Sequence, residues 1–277
     1  METFNILIPT DFSDVSYLAL EMANVLGKKL ALQIHLVHVI QVNDSDSDYL
    51  EGLNNAGLEK NRSTALSKME VLKSQGYQFD SYVRIGKLTE QINLAATELN
   101  ADIVLMGTNG SDGFMEFISG SEAQHVARQV QIPVLTIRPG TPMLELKNIL
   151  LVADFELFGK GVQIGTIKKL ANAFDSTIHL LQILTIEEEK SSDQVKAQMN
   201  FFAEEHQLEK YEIHLYRDHK VAEGVRNFNR EAEMDLVCIR TNGRRGINQL
   251  LFGSIAERLV NHCIKPLLTF QLKQKYA

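Results

Sequence analysis

The sequence lacks the motifs that most directly assign a catalytic activity to a chain. It contains no Gly-x4-Gly-Lys-Ser/Thr loop, which argues against a Walker-type ATPase. It also contains no His-Glu-x-x-His zinc motif and no Gly-x-Ser-x-Gly nucleophile elbow. We therefore find no catalytic triad and assign no catalytic residue and no metal ligand.

The sequence also lacks an excess of positive charge, long apolar runs and cysteine pairs. Its formal net charge is −7, which argues against a general binder of nucleic acids or anionic membranes. No apolar stretch approaches the ~20 residues that span a bilayer, and METFNILIPTDF at the start includes no basic segment typical of a signal peptide. Cys238 and Cys263 are the only cysteines, so we expect two buried thiols in a reducing, cytoplasmic compartment.

An internal repeat organises the chain. The matching segments are NILIPTDF at 5–12 with NILLVADF at 148–155, IHLVHVI at 34–40 with IHLLQIL at 178–184, and GSEAQHVARQVQIPVLTI at 120–137 with GSIAERLVNHCIKPLLTF at 253–270. The offset between the copies falls from 144 to 133 residues, and the polar segment 43–57 of the first copy accounts for the difference. The Pro- and Gly-containing segment 138–147 separates the copies. The repeat therefore predicts two domains, at 1–140 and 148–277.

Each copy alternates short apolar runs with segments of helical period. In the first copy the predicted strands are 5–9, 31–40, 81–85, 102–107 and 133–137, and the predicted helices are 14–26, 58–75, 89–99 and 120–130. Leu66, Met69 and Leu72 are expected to face inward from the second helix. Strands rich in Val, Ile and Leu without polar alternation are typical of parallel sheets covered on both faces. The prediction is two tandem α/β domains, each an open five-stranded parallel sheet with helices on both faces.

The segment MGTNGSDGFMEFISGS at 106–121 follows the fourth predicted strand, where sheets of this kind bind ligands. Gly107 and Gly110 permit close approach of the backbone to a ligand. Gly120 and Ser121 open a helix whose free N–H groups attract phosphate. The alternative is an ordinary turn with a serine N-cap. Because Asp11 ends the first strand at the same edge, we favour a nucleotide site.

Gly-x2-Gly-x9-Gly-Ser, preceded by PTDFS and followed by IPVLTIRP, resembles the ATP-binding class of the universal stress protein family, and the similarity covers both copies. The resemblance implies a Rossmann-like strand order of 3-2-1-4-5. It also implies that Asp11 meets adenosine, that Val39 lines the adenine pocket and that the glycine loop holds ribose and phosphates. The implied nucleotide-binding residues are Pro9, Thr10, Asp11, Val39, Met106, Gly107, Gly110, Gly120, Ser121 and Glu122. The implied cofactor is ATP, AMP or another adenine nucleotide, with Mg²⁺ left open.

The second copy departs from this pattern at one position. It keeps Asp154, Gly243, Gly253 and Ser254, but Arg240 stands where the first copy has Gly107. A side chain there is expected to project toward ribose and phosphate, and losing a backbone contact with phosphate costs about 1.5–3 kcal/mol. We therefore expect a degenerate second site. In the alternative, the Arg240 guanidinium occupies the phosphate position or contacts phosphate itself.

Two other sequence patterns are not assigned to a ligand-binding or metal site. GKGVQIG at 159–165 resembles a dinucleotide-binding fingerprint, but the preceding strand ends too early, so it is taken as the start of a helix at 160–173. His206, His214 and His219 are interpreted as surface histidines. His38 is expected to pack within or near the sheet.

The resemblance thus implies a regulatory stress-response module in which nucleotide occupancy biases a conformation or a partner surface. The alternatives are a slow ATP-hydrolysing enzyme and an interaction module with both sites vestigial. The expected partners are an adenine nucleotide and an unidentified protein, not nucleic acid or a membrane. The halves are expected to pack through their fifth strands, PVLTI and PLLTF, as a pseudo-dimer within one chain, and pairing of two chains stays open.

Overall fold

The computed structural model describes residues 3–42, 55–108, 126, 129–141, 145–156, 164–185, 190–241 and 265–271. These residues form ten strands and six helices. In the first half the strands are β1 (Phe4–Pro9), β2 (Leu32–Ile40), β3 (Asp80–Ile85), β4 (Ile103–Gly107) and β5 (Val134–Ile137), and the helices are α1 (Asp14–Gly27), α2 (Asn55–Ser74) and α3 (Leu88–Glu98). In the second half the strands are β6 (Asn148–Val152), β7 (Thr177–Thr185), β8 (Tyr211–Asp218), β9 (Leu236–Thr241) and β10 (Leu267–Gln271), and the helices are α4 (Gly165–Phe174), α5 (Ser192–Glu205) and α6 (Val221–Ala232).

All ten strands belong to one sheet, in the order β3-β2-β1-β4-β5-β10-β9-β6-β7-β8. Each half therefore has the order 3-2-1-4-5, and the pairs within each half are parallel. The predicted α/β class and strand order are confirmed.

The two halves join through an antiparallel pairing of β5 with β10. Leu135 lies opposite Leu268 at the centre of this junction, and both side chains are buried. On either side, Thr136 Oγ1 donates to the Leu267 carbonyl at 3.2 Å and Thr269 Oγ1 donates to the Val134 carbonyl at 3.3 Å. The predicted contact between the fifth strands is confirmed, and it pairs what would otherwise be two exposed sheet edges.

One face of the sheet carries a hydrophobic core that runs through both halves. Helices α1 and α2 cover it in the first half and α4 and α5 in the second, with Leu135 and Leu268 in the middle. Among the described residues, the other face has one cluster beneath α3 and another beneath α6. The joint between the halves is therefore part of a common core on the face covered by α1, α2, α4 and α5.

Local sequence explains where helix α1 begins. Ser13 caps it by accepting the backbone N–H of Ser16 at 3.2 Å, and Asp14 places a negative charge in the first turn. No described helix combines the length and the apolar character that crossing a bilayer requires.

Some side-chain expectations are wrong. Leu66 is 37% exposed, because the buried stripe of α2 runs through Ala65, Met69 and Leu72 instead. His206 and His214 are half-buried, against the ring of Phe202 and the ring of Phe228 respectively, and are not surface histidines.

Other expectations hold within the described residues. His219 is exposed and His38 lies in β2, as expected. Cys238 is fully buried, and this burial raises the pKa of its thiol, so the side chain is an unreactive core group. Cys263 lies outside the described residues.

His35 makes the stability of the fold depend on pH. Its side chain is buried in β2, and burial lowers the pKa of His35 below its ordinary value of 6.5, against the opposing effect of the Asp80 carboxylate 3.7 Å away. When pH falls, His35 is therefore protonated at a higher pH in the unfolded chain than in the folded chain. The His35 contribution is fully present above pH 6.5 and is lost as pH falls from there towards the folded pKa, by at most about 1.4 kcal/mol per pH unit.

This dependence can be measured by urea unfolding of the wild type and of His35→Asn at pH 7 and pH 5.5. We expect the loss of unfolding free energy on acidification to be smaller in the variant. An identical loss in both proteins would contradict the assignment to His35.

Candidate functional site

A cavity of about 470 Å³ opens at the carboxyl ends of β1, β2 and β4. In an order of 3-2-1-4-5 the strand order reverses between β1 and β4, and ligands of open α/β sheets bind at that point. The structure brings six of the predicted site residues to the wall of this cavity: Pro9, Thr10, Asp11, Val39, Met106 and Gly107. Gly110, Gly120, Ser121 and Glu122 lie outside the described residues.

The turn between β1 and α1 fixes the position of Asp11. Its carboxylate accepts the Ser13 backbone N–H at 3.1 Å and the Ser13 hydroxyl at 2.7 Å. Phe12 has a φ of 65°, a left-handed conformation that costs free energy for a residue with a side chain. The Phe12 N–H donates to Thr10 Oγ1 at 3.0 Å, which holds the turn in place. A strained and well-anchored turn thus presents one carboxylate to the cavity.

His38 supports this turn from the neighbouring strand. Its Nδ1 lies 2.8 Å from the Thr10 carbonyl oxygen, and because a carbonyl can only accept, Nδ1 carries the ring proton. The ring also packs against Phe12, with 4.9 Å between centroids. Both side chains line the cavity, and neither was predicted as a site residue.

Helix α2 supplies a second wall that the sequence analysis missed. Asn61, Thr64, Ala65 and Lys68 line the cavity from this helix. Their spacing of i, i+3, i+4 and i+7 places them on one face of the helix. The Lys68 ammonium lies 5.0 Å from the centre of the Phe12 ring, which places a cation beside the strained turn.

Gly107 has a packing role that the sequence analysis did not predict. A Cβ added to this residue would lie 1.8 Å from the Val15 carbonyl oxygen and 2.6 Å from the Val15 carbonyl carbon. A side chain at 107 would therefore collide with the first turn of α1, before any question of ribose or phosphate arises. The glycine is required for the packing of α1 against the end of β4.

Arg240 stands near the end of β9, at the position of the second half that corresponds to Gly107. Arg240 is half-buried, and burial lowers its pKa against the opposing effect of the nearby Asp154 carboxylate.

Within the described part of the chain, the Asp154 carboxylate contacts more residues than the Asp11 carboxylate does. It accepts the Glu156 N–H at 3.2 Å, the equivalent of the Asp11 turn, and also the Gln182 side-chain amide at 3.3 Å. Lys190 Nζ forms ion pairs with Asp154 at 3.3 Å and Glu156 at 3.1 Å. Burial alone would lower the pKa of Lys190, but these two carboxylates raise it. Gly243, Gly253 and Ser254 of the predicted second site lie outside the described residues.

Comparison with known proteins places this geometry in a family. The family model described as "Universal stress protein family" matches residues 3–138 and again residues 145–271. A universal stress protein of Methanocaldococcus jannaschii is 30% identical over 151 residues, which are 48% of this chain and 93% of that protein. A second from the same organism is 28% identical over 137 residues, which are 48% of this chain and 81% of that protein. Each of these relatives thus corresponds in length to about one half of the chain.

A solved structure with both halves also matches. It is a universal stress protein from Archaeoglobus fulgidus, with a TM-score of 0.71 and 16% identity, covering 96% of this chain and 98% of that one. At this identity the likeness concerns the fold, over nearly the full length of both chains.

Proposed function

The chain belongs to the universal stress protein family, and from this membership we propose that the domain of residues 1–140 binds an adenine nucleotide as a regulatory module of the stress response. The observation that carries the proposal is the difference between two equivalent carboxylates. Asp11 lines a cavity of about 470 Å³, whereas Asp154 is bound by Lys190 and Gln182.

The chemistry of the cavity wall fits such a ligand. Cavities that bind small molecules commonly have volumes of roughly 300–1,000 Å³, with mostly apolar walls and a few placed polar groups. Val39, Ile40 and Met106 supply an apolar surface for the base. The walls also contain a carboxylate at Asp11 and a cation at Lys68.

Each polar group has a suitable partner in a nucleotide. The Asp11 carboxylate has acceptor capacity for ribose hydroxyls beyond the two bonds it receives from Ser13. The Lys68 ammonium provides a positive charge for a phosphate. Backbone N–H groups of the glycine loop would complete the phosphate contacts, as the sequence motif predicts.

We further propose that the domain of residues 148–277 is the degenerate one. Lys190 already neutralises Asp154, so a ribose would have to displace an ion pair as well as water. Phe155 is buried, and its ring packs against that of Phe202 with 5.1 Å between the ring centroids. Its counterpart in the first half, Phe12, is only half-buried and lines the cavity. The expected stoichiometry is therefore one nucleotide per chain.

Asp11→Asn tests the first-half site in the full-length protein. Asparagine retains an oxygen that can accept from Ser13, so the turn is preserved while the charge and one acceptor are removed. A hydrogen bond to a charged group contributes about 1.5–3 kcal/mol, so we expect the Kd for ATP or AMP to rise at least about tenfold. Isothermal titration measures this Kd together with the stoichiometry.

Asp154→Asn is the matched control, because it makes the same change in the half that we propose to be inactive. It should leave nucleotide affinity and a stoichiometry of one unchanged. Two nucleotides per chain, or equal losses in both variants, would contradict the assignment to the first half. No binding of either nucleotide to the wild type would overturn the proposed function itself.

A further inference from the structure

Three side chains with metal-ligating atoms meet on β7 and β8, in the second half. They are His179 on β7 and Glu212 and His214 on β8. His179 pairs in register with Glu212, and Glu212 and His214 are two residues apart, so all three share one face of the sheet. None of the three is used by the proposed nucleotide site.

The spacing of the three donor atoms matches a tetrahedral metal site. His179 Nδ1 lies 2.9 Å from His214 Nε2, and Glu212 Oε2 lies 3.6 Å from each of these nitrogens. Zinc bonds of 2.0–2.1 Å at tetrahedral angles separate neighbouring ligand atoms by about 3.3–3.4 Å. Shifts of a few tenths of an ångström would therefore place all three atoms at bonding distance from one ion.

The contact made by the second ring nitrogen of His179 is typical of a histidine that binds a metal ion. Its Nε2 lies 3.2 Å from the Asn148 side-chain oxygen, so Nε2 carries the ring proton and Nδ1 presents its lone pair to the other two groups. An oxygen partner on the second ring nitrogen is the usual support for a metal-binding histidine. Burial also lowers the pKa of His179 and that of His214, which keeps both rings in the neutral form that binds metal.

From this geometry we propose that His179, Glu212 and His214 bind one Zn²⁺ ion, with water as the fourth ligand. Two imidazoles and a carboxylate are a donor set that zinc accepts in proteins. The His179 side chain is 9% exposed, that of His214 25% and that of Glu212 60%, so the ion would enter from the Glu212 side. When zinc binds, His214 carries its ring proton on Nδ1 and no longer on Nε2, the atom that faces His179. The hydrogen bond between the two histidines is then replaced by one bond from each histidine to the metal.

The first half provides an internal comparison. His35 and Asp80 occupy the same register as His179 and Glu212, on β2 and β3. However, Tyr82 takes the place of His214, two residues after the acid. Burial, followed by the effect of Asp80, raises the pKa of Tyr82, so its phenol stays protonated and is no zinc ligand. The repeat thus has two copies of the histidine–acid pair but only one complete set of three ligands.

The test is a Zn²⁺ titration of the full-length, chelator-treated protein against a chromophoric competitor. The wild type is expected to bind one Zn²⁺ with high affinity, and Glu212→Gln and His214→Tyr to weaken this binding at least tenfold. Asp80→Asn, the matched change in the first half, should alter the affinity less than twofold. Mg²⁺, which prefers oxygen ligands, should not compete.

A second measurement guards against a variant that misfolds. Glu212 is mostly exposed and glutamine has the same shape, so Glu212→Gln should keep the circular dichroism of the wild type. Because Zn²⁺ would bind the folded state, it should also raise the Tm of the wild type and of Asp80→Asn but not that of Glu212→Gln. Equal zinc affinity of wild type and Glu212→Gln, or no zinc binding by the wild type, would overturn the proposal.

Discussion

Replacing Gly107 with alanine is expected to destabilise the protein by at least about 3 kcal/mol, the upper part of the range for an overpacked site. The new methyl group would lie 1.8 Å from the Val15 carbonyl oxygen, and this atom belongs to the backbone of α1. Backbone cannot turn aside as a flexible side chain can, so the first turn of α1 must move away from β4. Urea unfolding at pH 7 measures the loss of free energy.

Gly57 provides the control for this prediction. It lies near the start of α2, and a Cβ added there would meet nothing within 4 Å. Alanine has the higher helix propensity, so Gly57→Ala should be neutral or stabilise the protein by up to about 1 kcal/mol. If the free energy of unfolding of Gly107→Ala were within about 0.5 kcal/mol of the wild-type value, the close packing of α1 on β4 would be wrong.

This steric role also limits what position 107 can reveal about ligands. A bulky substitution there would displace α1 and with it the Val15 and Ser16 side of the cavity wall. Loss of nucleotide binding in such a variant would therefore follow from the loss of packing as well as from a lost contact. Asp11 is the more informative position, because its substitution by asparagine preserves the turn.

The sequence predicted the fold well because its pattern is redundant. Five apolar strands occur twice, and β1 and β6 are so similar that each supports the assignment of the other. The pairing of β5 with β10 was also predictable, since an open five-stranded sheet leaves an apolar edge to be covered. Leu66 shows where the pattern fails: Met69 and Leu72 are buried as predicted, but one turn earlier the buried residue is Ala65 and not its larger neighbour Leu66.

The candidate site was less predictable, because its residues meet only through tertiary packing. Lys68 lies on a helix that is separated from Asp11 by a strand and a long polar segment, and nothing in a local motif links the two. Gly107 was identified as a site residue, but its close packing against α1 was not predicted, since the partner atom belongs to the backbone of another element. His179 and His214 are 35 residues apart and share a site through strand register, which a sequence pattern does not display.

The continuous core between the halves leads to the second large effect. Leu135 and Leu268 are partners across the junction and are 1% and 0% exposed. Replacement of a buried leucine by alanine typically lowers the free energy of unfolding by roughly 2–5 kcal/mol. We expect Leu268→Ala and Leu135→Ala each to fall in this range. Leu94→Ala, at a position on α3 that is 50% exposed, should stay within about 0.5 kcal/mol of the wild type.

Which half responds to these substitutions decides whether the pseudo-dimer is one cooperative unit. The core on the α1, α2, α4 and α5 face passes through Leu135 and Leu268 without a break, so removal of either side chain should weaken both halves. Hydrogen exchange detected by mass spectrometry follows β2 and β7 separately, and both strands should lose protection together in either variant. Loss confined to the half that carries the substitution would mean that the junction joins two independently stable domains. A shared loss would mean that β5 and β10 are the centre of a single folding unit, through which a ligand in the first half can bias the second.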